Sequence, residues 1–375
     1  MCGRGEFMNS FEKIQRCFDL APVERRQDIP VYPMMLLYPG RVAGVTQKEL
    51  LADTDTWIQA LEATFQKVGY PDLCQGNPPG DVIFLHGIEA LRPGYELGED
   101  ESFQLKETCR MEVEDYQNIV DNGYLQWYNR YLCSIQHPPF TSGQEIGQRW
   151  MTVGMNAAKV GQYLASHGMA PIHGTASGTP FDTLSMVRSF QEFIYDLYDE
   201  PDLVKAAIDK ATPEVLGNIL GALEHSPVKR ASLYAMRSDA NAISPEIFEE
   251  FSWPSLKQLI LGLHSAGVQV VLHADGNWLP MLPKLLDVPK GSVLVELDGV
   301  TDIHAAHDIL KGWQAIRGDV PATLMAFGTP DEVHAYCEDL IKMAMGGGFV
   351  VGSGCEIPLN CKLENLKALM DSVRA

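Results

Sequence analysis

The chain has 375 residues, 46% of them hydrophobic, and a formal net charge of −20, which is the composition of a folded globular protein. An acidic excess of this size argues against a nucleic-acid binder, which usually carries a basic patch. No apolar run approaches the roughly 18 residues needed to span a bilayer, and no signal-peptide pattern opens the chain.

The opening MCGRGEF (1–7) reads as a vector-derived extension before a native start at Met8, which sets Cys2 aside from any chemistry. The eight cysteines are scattered without a CxxC pair, as expected of free thiols in a reducing cytoplasm. From there on, short apolar runs ending in polar or glycine residues alternate with helical patterns. The first two are VYPMMLLYPG (31–40) and DVIFLHG (81–87). Residues from about 95 to 169 are too many for one connection, and EVEDYQNIVDNGYLQWYNRYL within them predicts a helical insertion after the second strand. APIHGTASG (170–178) and ASLYAMRSDAN (231–241) follow, and then a helix for which Ser244 is the N-cap, Pro245 the first residue and Gly267 the end. VQVVLHADGN (268–277), SVLVELDG (292–299) and WQAIRGDVP (313–321) come next. Thr329 and Pro330 start a further helix before GFVVGSGCEIP (348–358).

Near-continuous apolar strands separated by helices imply a parallel sheet with helices on its outer face. Eight such units predict an α/β fold, a single (β/α)₈ TIM barrel over residues 8–375. The competing doubly wound sheet would want a glycine-rich phosphate turn after its first strand, and YPGRVAG is a poor one.

A barrel of this kind carries its active site at the C-terminal strand ends. The polar residues there are His86 and Glu89, His173, Arg237 and Asp239, His273 and Asp275, Glu296 and Asp298, Arg317 and Asp319, and Cys355 and Glu356. His273, Asp275 and Cys355 offer an imidazole, a carboxylate and a thiolate to one mouth, and a catalytic zinc takes three such ligands with a fourth position open. Spacing alone leaves other readings standing. A strand-end histidine with a turn aspartate also forms hydrogen-bonded structural pairs, and a cysteine in an apolar run is commonly a small buried hydrophobe. Phe181, Tyr234, Trp278, Met325 and Phe349, near strand ends, are the candidate walls of an apolar substrate slot, although aromatics also fill barrels routinely. His304, His307 and His334 fall on outer helices and receive no role.

The stretches SGTPFDTLSMVRSF, DANAISPEIFEEFSWPSLKQLI, LHADGN, GTPDEVHAYCEDLI and GGGFVVGSGCEIPLNCKLENLKAL resemble the uroporphyrinogen decarboxylase superfamily over residues 30–375. The resemblance implies a TIM barrel, and either decarboxylation or zinc-dependent methyl transfer involving a corrinoid. Two departures sort these branches. The arginine-rich early segment with which the decarboxylases grip a polycarboxylated tetrapyrrole is replaced by YPMMLLYPGRVAG, with Arg41 alone. The metal motif of the thiol-activating methyltransferases, His-x-Cys with a distant Cys, is matched by His273 and Cys355, but Asp275 stands in place of the middle cysteine. A carboxylate makes zinc a harder Lewis acid, better suited to oxygen than to sulfur.

The resemblance and this departure together imply an O-demethylase component. It would take a methyl group from a methoxyaromatic substrate and pass it to cob(I)alamin on a separate corrinoid protein. Its metal would be Zn²⁺ on His273, Asp275 and Cys355, with Glu296 or Asp298 as a fourth ligand and Asp239 as a further ligand or a partner of His273. The alternatives are a thiol-activating methyltransferase, a decarboxylase, and a non-catalytic corrinoid- or tetrapyrrole-binding barrel.

Overall fold

Seven of the eight apolar runs fold as parallel strands in the computed structural model, which describes residues 8–374. The segment read as vector-derived, 1–7, lies outside the described residues. We number the barrel strands β1 (Val31–Met34), β2 (Leu73–Cys74), β3 (Ala170–Pro171 and Thr175–Gly178), β4 (Arg230–Tyr234), β5 (Gln269–Ala274), β6 (Val293–Leu297), β7 (Ala315–Val320) and β8 (Phe349–Glu356). The hydrogen-bonded order is β1–β8–β7–β6–β5–β4–β3. β2 pairs with the first half of β3 and lies beside β1, which curls the sheet into a TIM-barrel-like ring. β3 changes partner along its length: Ile172 N–H donates to the Cys74 carbonyl, and two residues later Gly174 N–H donates to the Arg230 carbonyl.

The run at 81–87 is not a strand. It belongs to the helix Pro79–His86, with proline in its first turn and Gly87 at φ +63° ending it. A short, wholly apolar run carries no period to separate a buried helix from a buried strand. The true β2 is two residues long, too short to leave a pattern. Between β2 and β3 lie an antiparallel pair, Ala90–Leu91 with Gln104–Leu105, and the helices Glu114–Asn122, Tyr124–Ser134 and Gly143–Ser166.

The two later helix starts fall where their caps place them. Ser244 accepts from Ile247 N–H, and Thr329 forms a reciprocal capping box with Glu332. The helix opened by Ser244 widens to a π turn over Phe248–Ser252, just before Pro254, whose ring and missing N–H break the regular ladder. Among the described residues, no helix is long and apolar enough to cross a membrane.

Alternation along each strand sorts the two faces of the sheet. Val271, Leu294, Ala315 and Val350 point into the barrel, where the N-terminal helix Ser10–Phe18 plugs the bottom with Ile14, Cys17 and Phe18. Val270, Leu272, Val293, Val295 and Ile316 pack outward in the larger core that includes the helices. The barrel interior above this floor is polar. Arg317 is fully buried, lies over the Tyr32 ring at 4.6 Å and donates to the Gly354 carbonyl.

Gly352 makes room for it. Paired with Tyr32 in the β1–β8 register, Gly352 would put a Cβ into the Tyr32 carbonyl and close to Arg317 Nε. Gly352→Ala is therefore expected to cost about 3 kcal/mol, the upper end for overpacking against rigid backbone. Urea unfolding checks this, with the midpoint lowered and the m value unchanged.

Candidate metal centre and cavity

One rung of the barrel builds the site. The register pairs Tyr234 with His273, His273 with Glu296, and Glu296 with Arg317 across β4 to β7. Register partners in a parallel sheet share a face, so all four side chains enter the same interior layer. His273 Nδ1 lies 3.0 Å from Glu296 Oε2, and Glu296 Oε1 lies 3.8 Å from Arg317. Burial raises the Glu296 pKa, but Arg317 and His273 outweigh it and hold the carboxyl below its usual range. An ionised Glu296 accepts the hydrogen bond from Nδ1–H and leaves the Nε2 lone pair facing the cavity.

His273 Nε2 lies 3.2 Å from Asp275 Oδ1 and 3.9 Å from Cys355 Sγ. These three residues form a group whose donor atoms all fall within 4.8 Å of one another. Zinc bonds of about 2.0–2.1 Å to N or O and about 2.3 Å to S, set at tetrahedral angles, separate N from O by ~3.3 Å and N from S by ~3.6 Å. The donor set therefore fits a zinc ion in both chemistry and span. For His273, burial opposes a charge, yet Asp275, Cys355 and Glu296 together raise the imidazole pKa well above its ordinary value. The cluster is thus built to hold positive charge at its centre.

The turn after β5 aims Asp275. Gly276 sits at φ +84°, where any Cβ would strike the Asp239 carboxylate. Its N–H donates to Asp298 Oδ2 at 2.8 Å, and Asn277 N–H donates to Asp239 Oδ1 at 3.1 Å. Thr301 Oγ1 donates to the Gly276 carbonyl and accepts from Trp278 N–H, each at 2.8 Å. The Trp278 indole donates to the Asp275 carbonyl at 3.1 Å. Asp239 and Asp298 are thus spent on backbone N–H groups, and Glu296 is spent on the far side of the imidazole ring.

A cavity of about 330 Å³ opens over the triad. Of the proposed slot residues, Tyr234 alone lines it. Trp278 is fully buried edge-on against Phe248, Phe181 packs on Phe193, and Met325 and Phe349 lie in the outer core. The apolar walls are instead Met34, Leu36, Val82, Ile88, Met186 and Met236, with Phe103 and Leu105 reaching in from the antiparallel pair. Methionine and short-range helix residues carry no strand-end signature, so the sequence pattern passes over them. His86 lies in edge contact with Tyr234 and lines the cavity from the end of its helix, and His173 lines it from β3. Burial lowers both, His86 to about 3 and His173 to about 4. Arg237 reaches away to Glu107 and the Ser185 carbonyl, Asp319 accepts from Tyr336, and Glu356 accepts from Leu37 N–H.

Glu89 does not touch the triad. It ties down the segment that carries Phe103 and Leu105, accepting from Arg110, Lys106 and Thr108. Arg110, the largest influence, helps to depress its pKa from 4.5 to about 2. A depressed carboxylate contributes stability that is present above the unfolded value and is lost as pH falls through the folded one. Hydrogen exchange in residues 89–110 is expected to quicken as pH drops from about 4.5 toward about 2, after correction for intrinsic rates. Glu89→Gln should abolish that added dependence.

Elemental analysis is expected to give one zinc per chain, lost in His273→Ala and Cys355→Ser. Glu296→Gln keeps shape but not charge. It is expected to weaken zinc affinity about 10- to 100-fold, as removal of a ligand's hydrogen-bond partner does, measured by competition with a chromophoric chelator.

Residues 160–375 match the model of the family described as Uroporphyrinogen decarboxylase (URO-D). Among curated proteins, the chloroplastic uroporphyrinogen decarboxylase 2 of Arabidopsis thaliana is 24% identical over 197 residues, covering 50% of this chain and 48% of that one. The uroporphyrinogen decarboxylase of Anaeromyxobacter dehalogenans is 26% identical over 213 residues, covering 55% and 58%. The chain thus spans about half the length of the curated relatives it matches. Among solved structures, a methyltransferase from Methanosarcina mazei superposes with a TM-score of 0.70 at 16% identity, over 98% of this chain and 99% of that one. That likeness is one of fold. With more than half of its length matching the family model, the chain belongs to the uroporphyrinogen decarboxylase family.

Proposed function

We propose that the protein is a cytoplasmic zinc-dependent methyltransferase that demethylates a methoxyaromatic compound and passes the methyl group to the corrinoid of a separate protein. The carrying observation is the donor set itself: one imidazole, one carboxylate and one thiolate at zinc-compatible spacing under a mostly apolar cavity. Decarboxylation of a polycarboxylated tetrapyrrole is poorly served here. Arg237 is the one lysine or arginine among the described lining residues, and Glu107 already neutralises it at 2.5 Å. At about 330 Å³ the cavity also lies at the small end of the ligand-site range.

Zinc bound to His273, Asp275 and Cys355 would supply Lewis acidity toward an ether oxygen at the open position. The chain's own residues do the rest. Glu296 keeps His273 in the tautomer that presents Nε2, and Arg317 keeps Glu296 ionised. Asp239, Asp298 and Thr301 hold the Asp275 turn in place. The methionine, leucine and phenylalanine walls exclude water and strengthen every charge interaction at the oxygen. The methyl C–O bond breaks with its electron pair left on the phenolate oxygen. Cob(I)alamin on a partner protein would supply the nucleophile that accepts the methyl group as the C–O bond breaks.

The deciding experiment incubates zinc-loaded protein and cob(I)alamin with methoxyarenes, methylthiols and methylamines, and reads methylcobalamin by its absorption. Turnover of methoxyarenes alone is expected; turnover of methylthiols alone would move the protein to the thiol branch. Asp275→Cys is expected to retain one zinc while lowering ether turnover at least ~10-fold, because a second thiolate softens the metal.

A further inference from the structure

The cavity's polar atoms carry information that the triad does not use. Gln75 Oε1, His86 Nε2, both ring nitrogens of His173 and the Tyr32 hydroxyl are buried without a hydrogen-bond partner among the described residues. All four residues line the cavity. Buried polar atoms are almost always paired, so five unpaired atoms around one space form a built receptor for a polar group. His173 is the extreme case, 4% exposed and unpaired on both nitrogens. Burial outweighs the pull of Glu296 and keeps this imidazole neutral, and it then offers one donor and one acceptor, the complement of a hydroxyl.

The charge of the lining decides which polar group is excluded. Asp275, Glu296 and Glu356 contribute carboxyl groups, and the single arginine is already paired with Glu107. With the open metal position taken by the ether oxygen, a substrate carboxylate elsewhere in this space would meet no free cation and would face these acids.

Resting on the ether-cleaving reading above, we infer that the methyl donor is an uncharged methoxyphenol, whose free hydroxyl is received by His173 and Gln75 while its ring lies against the methionine walls. A methoxybenzoate is refused because its carboxylate, held away from the metal when the ether oxygen occupies the open position, finds no counter-charge, and a plain methoxybenzene binds weakly because it leaves the polar atoms unpaired.

Calorimetric titration of zinc-loaded protein with the three methoxyphenol isomers, anisole and 3-methoxybenzoate tests this without turnover, and methylcobalamin formation repeats the comparison. The best methoxyphenol is expected to bind at least ~10-fold tighter than anisole and than 3-methoxybenzoate. His173→Leu should bring its affinity down to that of anisole and leave anisole itself unchanged, and His173→Gln should restore part of the preference. Gln75→Leu repeats the test should His173→Leu fail to fold. A benzoate or anisole that equals the best phenol overturns the inference while ether cleavage stands. So does a His173→Leu protein, or Gln75→Leu where that replaces it, that keeps the full preference. Methylcobalamin from methylthiols or methylamines, with none from any methoxyarene, overturns both.

Discussion

The contact between Glu296 and the imidazole of His273 is the constraint on which the site depends. A neutral histidine can turn either nitrogen toward the cavity, and only a fixed partner at Nδ1 selects one. The partner here is an acid fully inside a barrel, and burial would neutralise it without a countercharge. Arg317 supplies that charge from the next strand, held in turn by the Gly354 carbonyl, the Ser353 hydroxyl and the Tyr32 ring. Gly352 leaves the space it needs. The chain of cause thus runs from a missing side chain on β8 to the orientation of a lone pair on β5.

The candidate ligand Asp275 obeys a different logic. Asp275 stands just past β5 on a turn, where strand pairing no longer fixes direction. Two aspartates and a threonine on neighbouring segments, with the Trp278 indole of the turn itself, hold the backbone of residues 275–278 by hydrogen bonds. Residues that look like spare ligands in the sequence are spent on the frame. This division of labour explains why so acidic a mouth presents so few free carboxylates. It also leaves most of the cavity's unpaired hydrogen-bonding atoms on neutral residues, Gln75, His86, His173 and Tyr32, where they favour an uncharged ligand.

Much of the fold was legible in the pattern of the chain. Helix starts at Ser244 and Thr329 were readable because capping is local, involving residues three apart. Strands β4 to β8 were readable because burial on both faces demands unbroken apolar runs. The run at 81–87 misled for that same reason, being buried as a helix. β2 was silent because two residues contain no period. At the site, His273, Asp275 and Cys355 stood out as metal-binding chemistry at strand ends, and the structure brings their donor atoms within 4.8 Å of one another. Trp278, Phe181, Met325 and Phe349 stood just as near to strand ends, but their side chains turn into the packing outside the cavity.

The sequence by itself determined most of the alternation of strand and helix, the end of the barrel at which the polar residues gather, and the types of side chain at positions 273, 275 and 355. These follow from local period, capping and side-chain type, which are properties of neighbours in the chain. Only the tertiary structure decided that Glu296 serves the histidine, that Asp239 and Asp298 serve the turn, and that His173 and Gln75 keep free hydrogen-bonding atoms over the triad. Those roles depend on register between strands and on which polar atoms meet after burial, and contacts over such separations leave no mark on the order of residues.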